Sequence, residues 1–148
     1  MKLKSTGAGF LALSNRFDAF ADAAPRKMAE SATEIANLLI AAEYATESDP
    51  RRKRWPKKKI PNGQPQGVAS GDTRDSAKAV AGPNGQILLS VDTDHATFLQ
   101  NGTVHMKPRA ILPFDKLTTI WKDAIDEAAH QGLHDAWESV GGDPGGRT

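Results

Sequence analysis

Residues 83–92 read Pro83-Asn84-Gly85-Gln86-Ile87-Leu88-Leu89-Ser90-Val91-Asp92, and this stretch decides between an all-helical chain and a mixed one. Proline presets φ, while asparagine and glycine tolerate left-handed backbone, so Pro83-Asn84-Gly85 is a turn between two extended candidates. Beyond it, Ile87, Leu89 and Val91 alternate on one face of a strand running from Gln86 to Asp92. A small, mostly antiparallel sheet is therefore expected. Upstream, Thr73 to Ala81 reads as a short helix capped from Gly71-Asp72-Thr73. Downstream, His95 to Leu99 begins either a helix or another strand. Asn101-Gly102 is a further turn, Thr103 to Met106 looks extended, and Pro108 to Pro113 excludes regular helix.

Working outward, a last helix is expected from Phe114 or Asp115. Leu117, Ile120, Trp121, Ala124, Ile125 and Ala128 carry the helical period, and Ala129, Leu133, Ala136, Trp137 and Val140 extend it. Gly132 inside that run costs roughly 1 kcal/mol relative to alanine. Residues 141–148 read as a flexible tail. At the other end, Phe10, Leu13, Phe17 and Phe20 mark a helix to Ala24, where Pro25 predicts a break. A second helix is expected from Pro25 to Tyr44. Its apolar face is Met28, Ala32, Ile35, Leu38 or Leu39, and Ala42, with Lys27, Glu30, Glu34 and Asn37 off that face. Pro50, Pro56, Pro61, Asn62-Gly63, Pro65, Gly67 and Gly71 make residues 49–72 a long loop. The fold class is α+β: one domain over 1–140, with long N-terminal helices, a small sheet, a long C-terminal helix and an extended basic loop.

The chain has 148 residues, 39% hydrophobic and 6% aromatic, so its core is modest. Zero cysteines exclude a disulfide framework, a thiolate zinc site and cysteine catalysis. No apolar run approaches the ~20 residues that span a bilayer, and neither an export signal nor a membrane partner is expected. The formal net charge of +1 conceals an asymmetry. Of 19 basic residues, seven lie in Arg51, Arg52, Lys53, Arg54, Lys57, Lys58 and Lys59; the other 12 face 18 acidic residues, a net of −6.

Three readings compete for that basic block. Its charges neutralise phosphates, with Trp55 among them stacking on a base; or they pair with an acidic partner, a second copy included; or they are solvated. Catalytic motifs are weaker. His130 and His134 stand one helical turn apart, as zinc pairs do, but Gln131 occupies the place of the required glutamate base, so a metal-dependent hydrolase is the least favoured reading. Asp92, Asp94 and His95 lack the ligand series of a calcium loop. Gly7-Ala8-Gly9 lacks the third glycine of a dinucleotide fingerprint. No enzyme, metal or cofactor is expected.

Residues 94–114 carry a resemblance. His95-Ala96-Thr97-Phe98 with Gly102-Thr103, followed by Met106-Lys107-Pro108-Arg109-Ala110-Ile111-Leu112, is similar to the signature of tailed-phage tail-completion and neck proteins, the Mu-like virion morphogenesis group and its lambdoid relatives. Gly71-Asp72-Thr73-Arg74-Asp75-Ser76 resembles that family's middle element, and Trp55 stands where Mu-like members carry a tryptophan. His95 in place of tyrosine, Ala110-Ile111 in place of proline-phenylalanine, and Thr73 in place of an apolar residue are departures. The motif also makes physical sense alone. Gly102 permits positive φ, and Pro108 stiffens the chain around Arg109, whose guanidinium suits bidentate pairing with a carboxylate. The alternative for Arg109 is a merely structural turn from the sheet into the last helix.

The resemblance implies a structural virion protein. It would form a homo-oligomeric ring, hexameric by preference or dodecameric, at the head–tail junction or tail end, assembled in the host cytoplasm beside other neck, connector or tail proteins. Phe98, Gly102, Thr103, Met106, Pro108 and Arg109 are then inter-subunit or structural motif residues. Arg51 to Arg54, Trp55 and Lys57 to Lys59 contact partners, or DNA in the channel. The alternative is a small nucleic-acid-binding protein using residues 51–59.

Overall fold

The computed structural model describes residues 7–57, 71–113 and 115–142. Helix α1 spans Gly7–Thr46, α2 Asp72–Ser76, β1 Lys78–Ala81, β2 Ile87–Ser90, α3 Ala96–Asn101 and α4 Thr119–Ser139. The architecture is α+β: two long helices packed antiparallel, with a two-stranded sheet laid against α1.

Helix α1 runs through Pro25 without a break, contrary to the expected stop at Ala24. Proline withdraws one N–H from the helical ladder, at a cost of about 3 kcal/mol in an isolated helix. Here tertiary contact outweighs it. A Cβ on Gly132 of α4 would lie 2.8 Å from the Met28 Cα, and one on Gly85 would lie 3.3 Å from the Pro25 Cβ. Two glycines from different elements thus press on the helix on and just after the proline. Gly132, a flaw by helix propensity alone, is what lets α4 approach.

The contact between α1 and α4 is built from small side chains. Ala24, Ala29, Ala32, Ala36 and Ile40 are buried on α1, and Trp121, Ala128, Gly132 and Ala136 on α4. Helix α4 starts at Thr119, later than the expected Phe114 or Asp115. The Thr118 hydroxyl accepts from the Trp121 N–H at 3.4 Å and donates to the Pro50 carbonyl at 3.0 Å, capping the helix and tying it to the turn that follows α1. Leu117 and Ile120, placed on the apolar stripe by the periodicity, are exposed. At the far end, the Gly141 N–H bonds the Glu138 carbonyl and the Gly142 N–H bonds that of Trp137, with Gly141 at φ 76°. This Schellman closure puts the first two residues of the expected flexible tail into the helix cap.

The expected helix over 73–81 ends at Ser76, and Lys78–Ala81 is strand. It pairs antiparallel with β2 in the register Lys78↔Ser90, Ala79↔Leu89, Val80↔Leu88 and Ala81↔Ile87. Asn84 (φ 56°) and Gly85 (φ 77°) turn the chain between the strands, as the sequence implied. Ala79 exchanges hydrogen bonds with a side chain: the Asn37 amide donates to its carbonyl at 3.0 Å, and the Asn37 Oδ1 accepts its N–H at 2.8 Å. One asparagine of α1 thus acts as a third strand. The segment 95–101 is helical, and Thr103–Met106 is a tight turn rather than extended, its two end residues exchanging both backbone bonds. No helix among the described residues is long and apolar enough to cross a membrane.

Candidate functional site

Two groups of residues, the basic block and the 98–109 motif, are brought together beyond the C-terminal end of α1. The block begins as a closed turn. The Asp49 carboxylate accepts from the Arg51 and Lys53 N–H groups, both at 2.9 Å, and the Asp49 N–H bonds the Lys53 carbonyl at 2.8 Å. Arg52 turns the corner at φ 63°, a left-handed position that favours glycine or asparagine. Ser48 then bridges Arg54. Arg51, Arg52, Lys53, Arg54 and Lys57 all lie exposed, while Lys58 and Lys59 fall outside the described residues.

Trp55 belongs to the core, which removes it as a base-stacking residue. It is 5% exposed, meets Tyr44 edge-on at 5.4 Å, and donates its indole N–H to the Ala110 carbonyl at 3.0 Å. Arg109 is also buried, and its Nε donates to the Pro56 carbonyl at 3.1 Å instead of meeting a carboxylate. Its N–H bonds the Leu99 carbonyl at 2.7 Å. These bonds join the basic turn to the motif segment. Gln100 adds a further staple: its Oε1 accepts from the Ile111 and Leu112 N–H groups, and its Nε2 donates back to the Leu112 carbonyl at 2.6 Å.

Within the motif, Gly102 is obligatory. At φ 75°, a Cβ there would lie 2.7 Å from the Met106 carbonyl oxygen and 2.9 Å from the Pro108 ring. The Thr103 hydroxyl accepts from the Met106 N–H at 3.1 Å, closing the turn that raises Val104 into solvent. Phe98 points outward from α3, half exposed. Between Pro56–Lys57 and this turn lies an open concavity of about 970 Å³, lined among the described residues by Lys57, His105, Lys107 and Arg109 and by no carboxylate.

Below the turn sits Glu43, which the sequence did not single out. It is 2% exposed; its Oε1 accepts from the Trp121 indole at 2.7 Å, and its Oε2 has no hydrogen-bond partner. Burial pushes its carboxyl up to about 8, against the opposing pull of the Trp121 hydrogen bond and the Arg52 charge. Burial and the neighbouring Glu43 likewise raise the Tyr44 phenol. The buried face of α1 runs through Ala29, Ala32, Ala36 and Ile40 rather than through the expected Met28, Ile35 and Leu38, and Glu43 continues it three residues beyond Ile40, where the position of Trp121 gives it meaning.

On α4, His134, Asp135 and Glu138 place ligand atoms within 4.8 Å of one another; His130 is not among them. Asp135 already accepts from Gln131 at 2.8 Å, and surface acidic groups of this kind are common without an ion. No family profile, curated protein or solved structure matches this chain.

Proposed function

We propose that this chain is a structural subunit that assembles head-to-tail into a closed ring at the head–tail junction or tail end of a tailed phage, six copies by preference and twelve as the alternative. The observation that carries the assembly is polarity. One end of the molecule presents Arg51, Arg52, Lys53, Arg54, Lys57 and Lys107, while the two-helix shaft, residues 18–47 and 119–139, holds ten acidic residues besides the buried Glu43, against three basic ones. Unlike faces that attract each other favour heterologous contacts, which close into rings when the rotation allows. The virion setting rests on the resemblance of residues 94–114, and the stapling of that segment to the basic turn supports a rigid presenting surface. Negative-stain electron microscopy of concentrated protein tests this: end-on rings of six or twelve units are expected, and fields of unassembled particles would overturn it.

The carboxylate-free concavity beside Lys57 and Lys107 favours a second reading, contact with nucleic acid. With Trp55 buried, that contact would be electrostatic and indifferent to sequence. A DNA affinity falling steeply with salt, and lost when four of the seven block charges are neutralised, supports it; no affinity at 50 mM salt removes it.

A further inference from the structure

Between α1 and α4 runs a groove of about 550 Å³ on the flank of the shaft. Ile35 and Leu38 from α1 and Ala124 and Ala128 from α4 line it, with Glu34, Glu127 and Asp135 at its edges and no basic side chain. Leu38 is 60% exposed there. An occupant that suits this groove is apolar and positively charged.

The N-terminal part of the chain, residues 1–17, has both properties, with Lys2 and Lys4 preceding α1 outside the described residues. Phe10, Leu13 and Phe17 follow one another at helical spacing and are 71%, 43% and 52% exposed, with Leu11 beside them at 64%. The first seventeen residues of the sequence contain Lys2, Lys4 and Arg16 and no carboxylate. The basic turn is a poorer fit, because its one aromatic, Trp55, is buried. The turn carrying Val104 offers a single apolar side chain.

We propose that this groove receives the Phe10–Phe17 arm of a second copy of the chain. The inference deepens the assembly reading and rests on it. A chain does not fill its own groove, because arm and groove share one helix. Residues 10–17 and 31–38 are about 30 Å apart along α1. Phe17 and Phe20 pack on Trp137 at 5.9 and 5.4 Å, and the Arg16 guanidinium lies 5.4 Å above the same ring, holding the arm in line. Each copy therefore donates one arm and accepts another through a different face, the requirement for a heterologous, ring-closing contact.

The absence of cysteine makes a direct test available. Leu13→Cys protein is mixed with Leu38→Cys protein bearing a mass-shifting tag, oxidised, and resolved on non-reducing gels while light scattering reports the mass of the same samples. Leu13→Cys with tagged Val104→Cys is the control, and one chain carrying both Leu13→Cys and Leu38→Cys reports fold-back. The expected result is a mixed disulfide several-fold more abundant than in the control, rising with concentration and falling at high salt. Oligomers without that preference overturn the arm–groove contact and leave the assembly reading standing. A disulfide within the doubly substituted chain, which would require the arm to bend back at Pro25, overturns it as well. Monomers at every concentration overturn both.

Discussion

Two stretches of α1 are both rich in apolar residues and have opposite fates. From Ala24 to Ile40 the helix buries a row of alanines against α4, and Ala36 has no exposure at all; from Phe10 to Phe17 it leaves two phenylalanines and two leucines in solvent. Hydrophobicity does not explain the difference, since the larger side chains are the exposed ones. The length of α4 does. That helix closes at Gly141 and Gly142, beside Trp137, which packs on Phe17 at the inner end of the arm, and nothing among the described residues continues past it to cover Phe10 and Leu11. Small residues meet where the partner helix belongs to the same chain. In the proposed assembly, the large residues meet a second copy.

Four substitutions probe that contrast, the first with the largest effect. Glu43 sits at the buried end of the helix with its carboxyl raised from 4.5 to about 8. The folded state therefore keeps a proton that the unfolded state releases, so stability is full below about pH 4.5, falls as pH rises to about 8, and is flat beyond. The loss is on the order of 5 kcal/mol, and Glu43→Gln flattens it in urea unfolding followed across that pH range. Gly132→Ala tests the close approach of the helices. Its methyl collides with the Lys27–Met28 backbone, and a loss of about 2–3 kcal/mol outweighs the gain of about 1 kcal/mol in helix propensity.

Asn37→Ala strands the N–H and carbonyl of Ala79 and costs about 2 kcal/mol, read from the urea midpoint. The smallest effect belongs to the arm. Phe10→Ser with Leu13→Ser changes unfolding of the monomer by less than about 0.5 kcal/mol, because both side chains are exposed. The same pair abolishes association by light scattering. A large loss of monomer stability there would show that the arm belongs to the core and erase the contrast.

Some of this was legible in the sequence because it is written locally. The α+β class followed from helical periods on either side of Pro83-Asn84-Gly85, and Gly102 was a turn by residue type alone. What depends on distant partners was not legible. Pro25 stays helical because Gly132 and Gly85 press on that stretch of α1 from elsewhere. Trp55 reads as an exposed ring among cations until Tyr44 and Ala110 enclose it. Asn37 looks like a solvent-facing polar residue until a strand arrives to use both ends of its amide. Lys78–Ala81 becomes strand only when Ile87–Ser90 pairs with it. In the candidate site, the exposed charges of the turn were visible by position, whereas their attachment to the motif through Pro56 and Arg109 spans more than fifty residues.

The central claim is that the exposed face of this subunit is completed by other copies of itself. The mass in solution, measured by light scattering over a concentration series at low and high salt, tests it most directly. A discrete species near six or twelve times 15.9 kDa is expected, dissociating as salt screens the basic turn from the acidic shaft. A single 15.9 kDa species at every concentration and salt would contradict it.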